Sequence, residues 1–247
     1  MKKNLKIKPK NLAGRKVAIF DIDGTIFRSS LLSEVTEALI QEGIFSPQVK
    51  EKYAKELKNW IERRGPYEDY MWAIVRAFNK EIEGVSYAAY VKVVKKVVAY
   101  HDHRLYRYTR DLIKKLKKDN YYLIAISHSP RELVEEFAKS ISFDKTYGRW
   151  HEVGPRGKIT GRQLYLDLIN DKAKMLELIV EKHNLTLRGS VGVGDTDSDI
   201  SFLKMVDHPV CFNPNQKLFR YARRTGWTVV VERKDVIYKM QRSFQII

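Results

Sequence analysis

Val17-Ala18-Ile19-Phe20-Asp21-Ile22-Asp23-Gly24-Thr25 reads as a short buried strand that runs directly into two carboxylates and a glycine turn. From about residue 31 to residue 100 the apolar spacing turns helical. Leu31, Val35 and Leu39 form one stripe, and Val49, Tyr53, Leu57 and Trp60 a second. Tyr67, Tyr70, Met71, Ile74 and Phe78 form a third, and Tyr87, Tyr90, Val91, Val94 and Val98 a fourth. Ser46-Pro47 suits an N-cap followed by proline at the first helical position, and Gly43, Gly65 and Gly84 separate the helices.

Beyond residue 100 helices and strands alternate. The pattern predicts helix 105–116, strand 121–127, helix 131–139, strand 143–147 and a hairpin-like, Gly-rich stretch 154–161. Helix 171–184, strand 190–194, helix 199–206, strand 209–212, helix 215–225 and strand 227–231 follow. Such alternation implies a mostly parallel sheet covered on both faces. The expected fold is α/β: a core domain of residues 1–28 and 101–247, interrupted after its first strand by a helical domain of residues 29–100.

The 247 residues carry 46 Lys+Arg against 30 Asp+Glu, a formal charge of +16, and 44% are hydrophobic. That apolar content excludes a disordered chain. A lone cysteine, Cys211, excludes a disulfide framework and a multi-Cys zinc site, and fits a reducing cytoplasm; its place in an apolar strand predicts core packing. No apolar run reaches the ~18 residues of a membrane-spanning helix. The basic N-terminus is followed by no apolar segment, so no secretory signal is expected. The positive charge suggests an anionic partner: a phosphate ester, a nucleic acid or a membrane surface.

In open parallel sheets, ligands bind beyond the carboxyl ends of the strands. There the sequence places Asp21, Asp23, Gly24 and Thr25, then Ser127-His128-Ser129-Pro130, then Asp195, Asp197 and Asp199. Carboxylates converging this closely must be held by a cation or by protons. Oxygen donors without His or Cys favour a hard metal such as Mg²⁺. The Asp195, Asp197, Asp199 spacing is not a calcium loop, because Ile200 and Val206 stand where that loop requires Gly and Glu.

Ala18 to Thr25 resembles the first motif of the haloacid dehalogenase (HAD) superfamily, Tyr122 to Ser127 its second, Lys172 its third, and Gly194-Asp195 with Asp199 its fourth. Gly157 to Gly161, His208 to Pro214 and Gly226-Trp227 are similar to the phosphoserine phosphatase-like branch, subfamily IB. The resemblance spans roughly residues 15 to 232. It implies a HAD-like Rossmannoid core, a helical C1-type cap, and a Mg²⁺-dependent phosphatase working through an aspartyl-phosphate.

On that resemblance Asp21 is the nucleophile and Asp23 the general acid and base. The metal is expected on the side chains of Asp21 and Asp195 and the backbone carbonyl of Asp23. Ser127, Lys172 and the main chain near His128 bind the phosphoryl oxygens, and His128 itself is a lesser candidate. Thr25 fixes the first loop on the phosphate side, and Asp199 orients the metal's surroundings and Lys172. Lys174 faces another side of its helix. His101, Asp102 and His103 read as an exposed polar hinge rather than a metal site.

The substrate is expected to be a small phosphomonoester. Phosphoserine phosphatases recognise the amino group with a glutamate nine residues after the nucleophile, where this chain has Ser30; the nearest acids are Glu34 and Glu37. Arg63, Arg64 and Arg76 are the cap arginines available for a carboxylate, and Thr196-Asp197-Ser198 also departs from that family. Two alternatives remain: a phosphotransferase using the same intermediate, and a basic nucleic-acid-associated phosphatase or binding protein. Residues 1–16 hold seven bases and no acid, and residues 215–247 eight bases against two acids, whereas residues 29–100 are nearly balanced. The net charge therefore sits mostly away from the expected site.

Overall fold

The computed structural model describes residues 14–240; the basic run 1–13 and residues 241–247 lie outside the described residues. Its strands are β1 (Arg15–Phe20), β2 (Tyr122–Pro130), β3 (Lys145–Val153), β4 (Ile159–Leu164), β5 (Leu185–Gly194), β6 (His208–Phe212), β7 (Thr228–Arg233) and β8 (Val236–Met240). They form one sheet in the order β4-β3-β2-β1-β5-β6-β7-β8. The inner pairs are parallel, and the two edges, β3–β4 and β7–β8, are antiparallel hairpins. The core is thus α/β with a mostly parallel sheet, as the alternating pattern implied.

Four helices lie between β1 and β2 before the covering helix: α1 (Leu31–Gln41), α2 (Ala54–Ile61), α3 (Tyr67–Glu81) and α4 (Tyr87–His101). Then come α5 (Arg107–Lys118), α6 (Arg131–Ala138), α7 (Leu166–Asn170), α8 (Lys172–Lys182), α9 (Ile200–Leu203) and α10 (Gln216–Thr225). Side chains alternate across β1. Ala18 and Phe20 join a cluster with α1, α3, α4, α5 and α6, while Val17 and Ile19 join one with α8, α9 and α10. The first cluster continues without a break from Phe20, Ile22, Ile26 and Phe27 into Leu31, Val35, Ile74 and Val94, so the inserted helices share a core with one sheet face. Cys211 is fully buried in the second cluster.

The chain leaves and re-enters the sheet layer through two adjacent segments. Arg28 N–H donates to the Arg104 carbonyl at 2.9 Å and Tyr106 N–H to the Ile26 carbonyl at 2.9 Å. His101 is not simply an exposed hinge residue: it lies 3.2 Å from Glu34, which also accepts from Arg104 at 2.8 Å. His103 is exposed.

Several boundaries differ from the sequence pattern. The second helical stripe splits into a 3-10 turn (Pro47–Lys52) and α2, because Tyr53 adopts φ −131°, ψ 4°, outside helical values, to bury its ring. β2 continues through Ser127-His128-Ser129 to Pro130. β3 runs past residue 147 to Val153 because β4 pairs with its second half, Trp150 with Leu164 and Val153 with Ile159. The helix expected at 199–206 is a 3-10 turn (Asp197–Asp199) followed by the short α9. α7 and β8 were not anticipated. No described helix is long and apolar enough to cross a membrane.

Candidate active site

The carboxyl ends of β1, β2 and β5 converge, as parallel topology requires. β1 is tied to β5 at its last turn, where Asp21 N–H donates to the Val193 carbonyl at 2.9 Å. The loop then folds tightly on one acceptor: the Ile22 carbonyl takes Thr25 N–H (3.2 Å), Ile26 N–H (2.8 Å) and Phe27 N–H (2.9 Å). Gly24 sits at φ +78°, and a Cβ there would lie 2.2 Å from Asp195 Oδ2. Glycine is therefore needed both for the turn and for the close approach of Asp195.

Lys172 opens α8, whose cap is the Asp171 side chain accepting from Lys174 N–H at 3.0 Å. Its side chain is 1% exposed, 2.7 Å from Asp21 Oδ1 and 2.6 Å from Asp199 Oδ1. Burial opposes the charge, but Asp199 and Asp21 outweigh it and hold the lysine pKa above its usual value. Lys174 is exposed. Asp199 spends its other oxygen on Asp195 N–H (3.0 Å) and Thr196 N–H (3.1 Å), closing the turn that aims Asp195. Asp197 turns away, accepting from Asn215 at 2.7 Å and lying 3.4 Å from Lys217.

Asp23 has a different environment. Its Oδ1 accepts from Leu31 N–H at 2.6 Å, at the first turn of α1. Its Oδ2 accepts from the hydroxyls of Ser127 (2.7 Å) and Ser129 (2.8 Å). Ser127 Oγ in turn accepts from Ser129 N–H at 2.9 Å. Ser129 was not singled out by sequence, although residues two apart on a strand share a face and the signal was present in Ser127-His128-Ser129. His128 points to the other face, hydrogen-bonded to the Ile169 backbone; burial and the charges of Lys172 and Arg149 push its pKa down to about 3, so its ring is neutral. Thr25 is fully buried, with no partner for its hydroxyl among the described residues.

The inserted helices bring an aromatic residue within electrostatic reach of the carboxylates. Tyr67 begins α3, and its hydroxyl pKa is raised by burial and then by the negative charges of Asp23 and Asp195. Lys217 lies 3.3 Å from Glu68 as well as 3.4 Å from Asp197, fastening the start of α3 over the Asp195 loop. Ser30 is spent as the N-cap of α1. Glu34 is engaged by Arg104, His101 and Ser29, and Glu37 by Lys50 and Tyr53. Arg63 lies over the Trp60 ring and Arg64 pairs with Glu62, while Arg76 is exposed on α3.

Among the described residues, Asp21, Asp23, Asp195 and Asp199 face a single cation, Lys172. Burial, Lys172 acting against it, and the charges of Asp199 and Asp23 leave Asp21 with a pKa pushed up to about 8. Asp195 is raised well above the usual range by burial and by Asp21 and Asp199. Oxygens of Asp21, Asp195 and Asp199 lie within 4.8 Å of one another. An all-oxygen, charge-deficient cluster of this span fits a hard divalent cation such as Mg²⁺. Because both Asp199 oxygens already accept hydrogen bonds, Asp21 and Asp195 are the side chains open to an ion.

A family model described as haloacid dehalogenase-like hydrolase matches residues 18–204, which hold Asp21, Asp23, Ser127, Lys172, Asp195 and Asp199. The chain belongs to this family. Among its relatives, the "inhibition of morphological differentiation protein" of Streptomyces azureus is 23% identical over 92% of this chain and 82% of its own length. A phosphoserine phosphatase of Archaeoglobus fulgidus is 20% identical over 83% of this chain, which spans 54% of that protein. A solved phosphoserine phosphatase structure, a phospho-aspartyl intermediate analogue, superposes with a TM-score of 0.62 at 20% identity, covering 90% of this chain and 95% of that one. The HAD fold, with a phosphoserine phosphatase-like architecture, is therefore common to sequence and structure.

Proposed function

We propose that this HAD protein is a Mg²⁺-dependent phosphatase that hydrolyses a small phosphomonoester through an aspartyl-phosphate on Asp21. The observation that carries the reading is the buried Asp21–Lys172–Asp199 array with Asp195 beside it, open to a cation, and Asp23 held apart from it. Asp21, Asp195 and the Asp23 carbonyl would hold the Mg²⁺, which would supply the charge neutralisation that attack of an anion on an anion needs.

The chain's own residues do the rest. Asp21 offers a carboxylate oxygen to phosphorus, fixed by Lys172. Lys172 and Ser127 bind the phosphoryl oxygens, where removing a donor from a water-excluded site costs most. Asp23 protonates the leaving alkoxide and then takes a proton from the attacking water. Burial raises its pKa against the opposing hydrogen bonds from Ser127, Leu31 and Ser129, which suits a carboxyl that must carry a proton. Thr25 supports the loop from beneath, and His128 serves as neutral packing beside the phosphate site.

Residues 29–100 act as a cap that selects the ester, with Tyr67 facing the acid pair. Glu34 and Glu37 are already paired with Arg104, His101 and Lys50, so neither is free to take a substrate ammonium group. Phosphoserine is thus a poor fit. The test is a phosphomonoester panel with Mg²⁺, run on wild type and Asp21→Asn together. Turnover lost in the variant supports the reading; a wild type inactive on every ester, or an active variant, overturns it.

A further inference from the structure

Arg149 is a buried cation that nothing in the described chain neutralises. It is 9% exposed, and no described carboxylate lies within 4.0 Å of its guanidinium. Its Nε has no partner. Its terminal nitrogens reach only amide oxygens, Gln163 Oε1 and Asn170 Oδ1, both at 3.5 Å. Arginine cannot shed its proton to escape, so burial without an anion is strongly unfavourable.

The surroundings are equally unsatisfied. His151, two residues along β3, is 3% exposed with neither ring nitrogen partnered. Burial first, then the charges of Lys172 and Arg149, hold His128 neutral, so both cations act on the same imidazole. Asn170 lies at the end of α7, two residues before Lys172, and is exposed, so one Arg149 contact lies at the surface next to the Lys172 segment. On the other side Gln163 accepts Arg149 and donates to Asn79 of α3 at 2.9 Å, which brings the inserted helices to its wall.

We infer that Arg149, with His151, Gln163 and Asn170, receives a second oxyanion group of the substrate, a carboxylate or a further phosphoryl. This deepens the phosphatase reading and rests on it. A planar guanidinium with its amides arranged as a fork suits bidentate capture of such a group. The substrate class is then a phosphomonoester bearing another anionic group, not a neutral alcohol phosphate.

The test compares matched esters with Mg²⁺ in excess: phosphoglycolate against ethyl phosphate, phosphoglycerate against glycerol phosphate, fructose bisphosphate against fructose phosphate. Wild type is expected to prefer at least one anionic member by about tenfold or more in kcat/KM, chiefly through KM, as for loss of a charged hydrogen bond. Arg149→Met should collapse that ratio toward one, with Arg149→Lys intermediate. Equal ratios in wild type, or a preference intact in Arg149→Met, overturn the inference.

Thermal unfolding with malonate gives a readout independent of turnover. Malonate should raise the wild-type Tm by several degrees and leave Arg149→Met unmoved. In anion-free buffer Arg149→Met should be at least as stable as wild type; a marked loss would mean a structural guanidinium and would overturn the proposal. A malonate shift without any ester preference would assign the site to free anions, also against it. If no ester turns over, the phosphatase reading has failed, and malonate alone decides whether Arg149 receives anions.

Discussion

Lys172 donates to Asp199 at 2.6 Å, and both side chains are out of water. Asp199 also accepts the Asp195 and Thr196 N–H groups, so one carboxylate sets the positions of Lys172 and of the Asp195 loop. Asp199→Asn keeps the shape but replaces an acceptor with a donor facing Lys172. The Mg²⁺ concentration for half-maximal activity should rise about 10–100-fold, as for lost supporting contacts at metal sites. A Mg²⁺ titration of activity checks this; an unchanged midpoint would remove the role given to Asp199.

Asp21 makes the metal-free protein sensitive to alkali. Its folded pKa, about 8, lies above the ordinary 3.8, so its stabilising contribution is complete below about pH 4 and lost as pH rises through 8. Mg²⁺ removes that penalty by replacing the proton. Added Mg²⁺ should therefore raise Tm more at pH 8 than at pH 5, and Asp21→Asn should raise the metal-free Tm at pH 8 while abolishing turnover. Thermal melts at the two pH values, with and without Mg²⁺, give the answer.

Ser127 and Ser129 share the Asp23 carboxylate but differ in reach. Ser127→Ala removes a phosphoryl donor as well as an Asp23 partner and should lower kcat about 10²–10³-fold. Ser129→Ala removes only a hydrogen bond that lowers the Asp23 pKa. It should cost less and move the alkaline limb of the pH–rate profile to higher pH. Equal losses without a shifted limb would separate Asp23 from acid catalysis.

Gly24→Ala should fail on two counts, a positive φ and a Cβ placed 2.2 Å from Asp195 Oδ2. The backbone term alone costs about 1–3 kcal/mol. Displacing Asp195 should in addition weaken Mg²⁺ activation, which isothermal titration with Mg²⁺ would register as lost affinity.

Most of the fold was legible because β1 is an apolar run that ends in carboxylates, and because helical spacing between Leu31 and Val98 contains no strand signal. Lys172 was separable from Lys174 because the two lie on different faces of one helix, and only Lys172 is buried. β8 escaped notice because Val236 and Tyr238 are largely exposed on an edge strand beside Lys239 and carry no burial pattern. Tyr67 was hidden among core-forming aromatics. Arg149 gave no signal at all: one arginine among 46 basic residues becomes distinctive only when β3, β4 and α7 close around it.

The hydrogen bond from Leu31 N–H to Asp23 makes the proposed general acid and the entrance of the inserted helices parts of one joint. A helix terminus that rotates or withdraws takes a proton-tuning donor with it. Because that donor favours the charged carboxylate, its withdrawal would leave Asp23 holding its proton more tightly and less ready to release it or to take one from water. Recombining this sheet with a foreign insertion would have to rebuild that one amide before it could recover turnover.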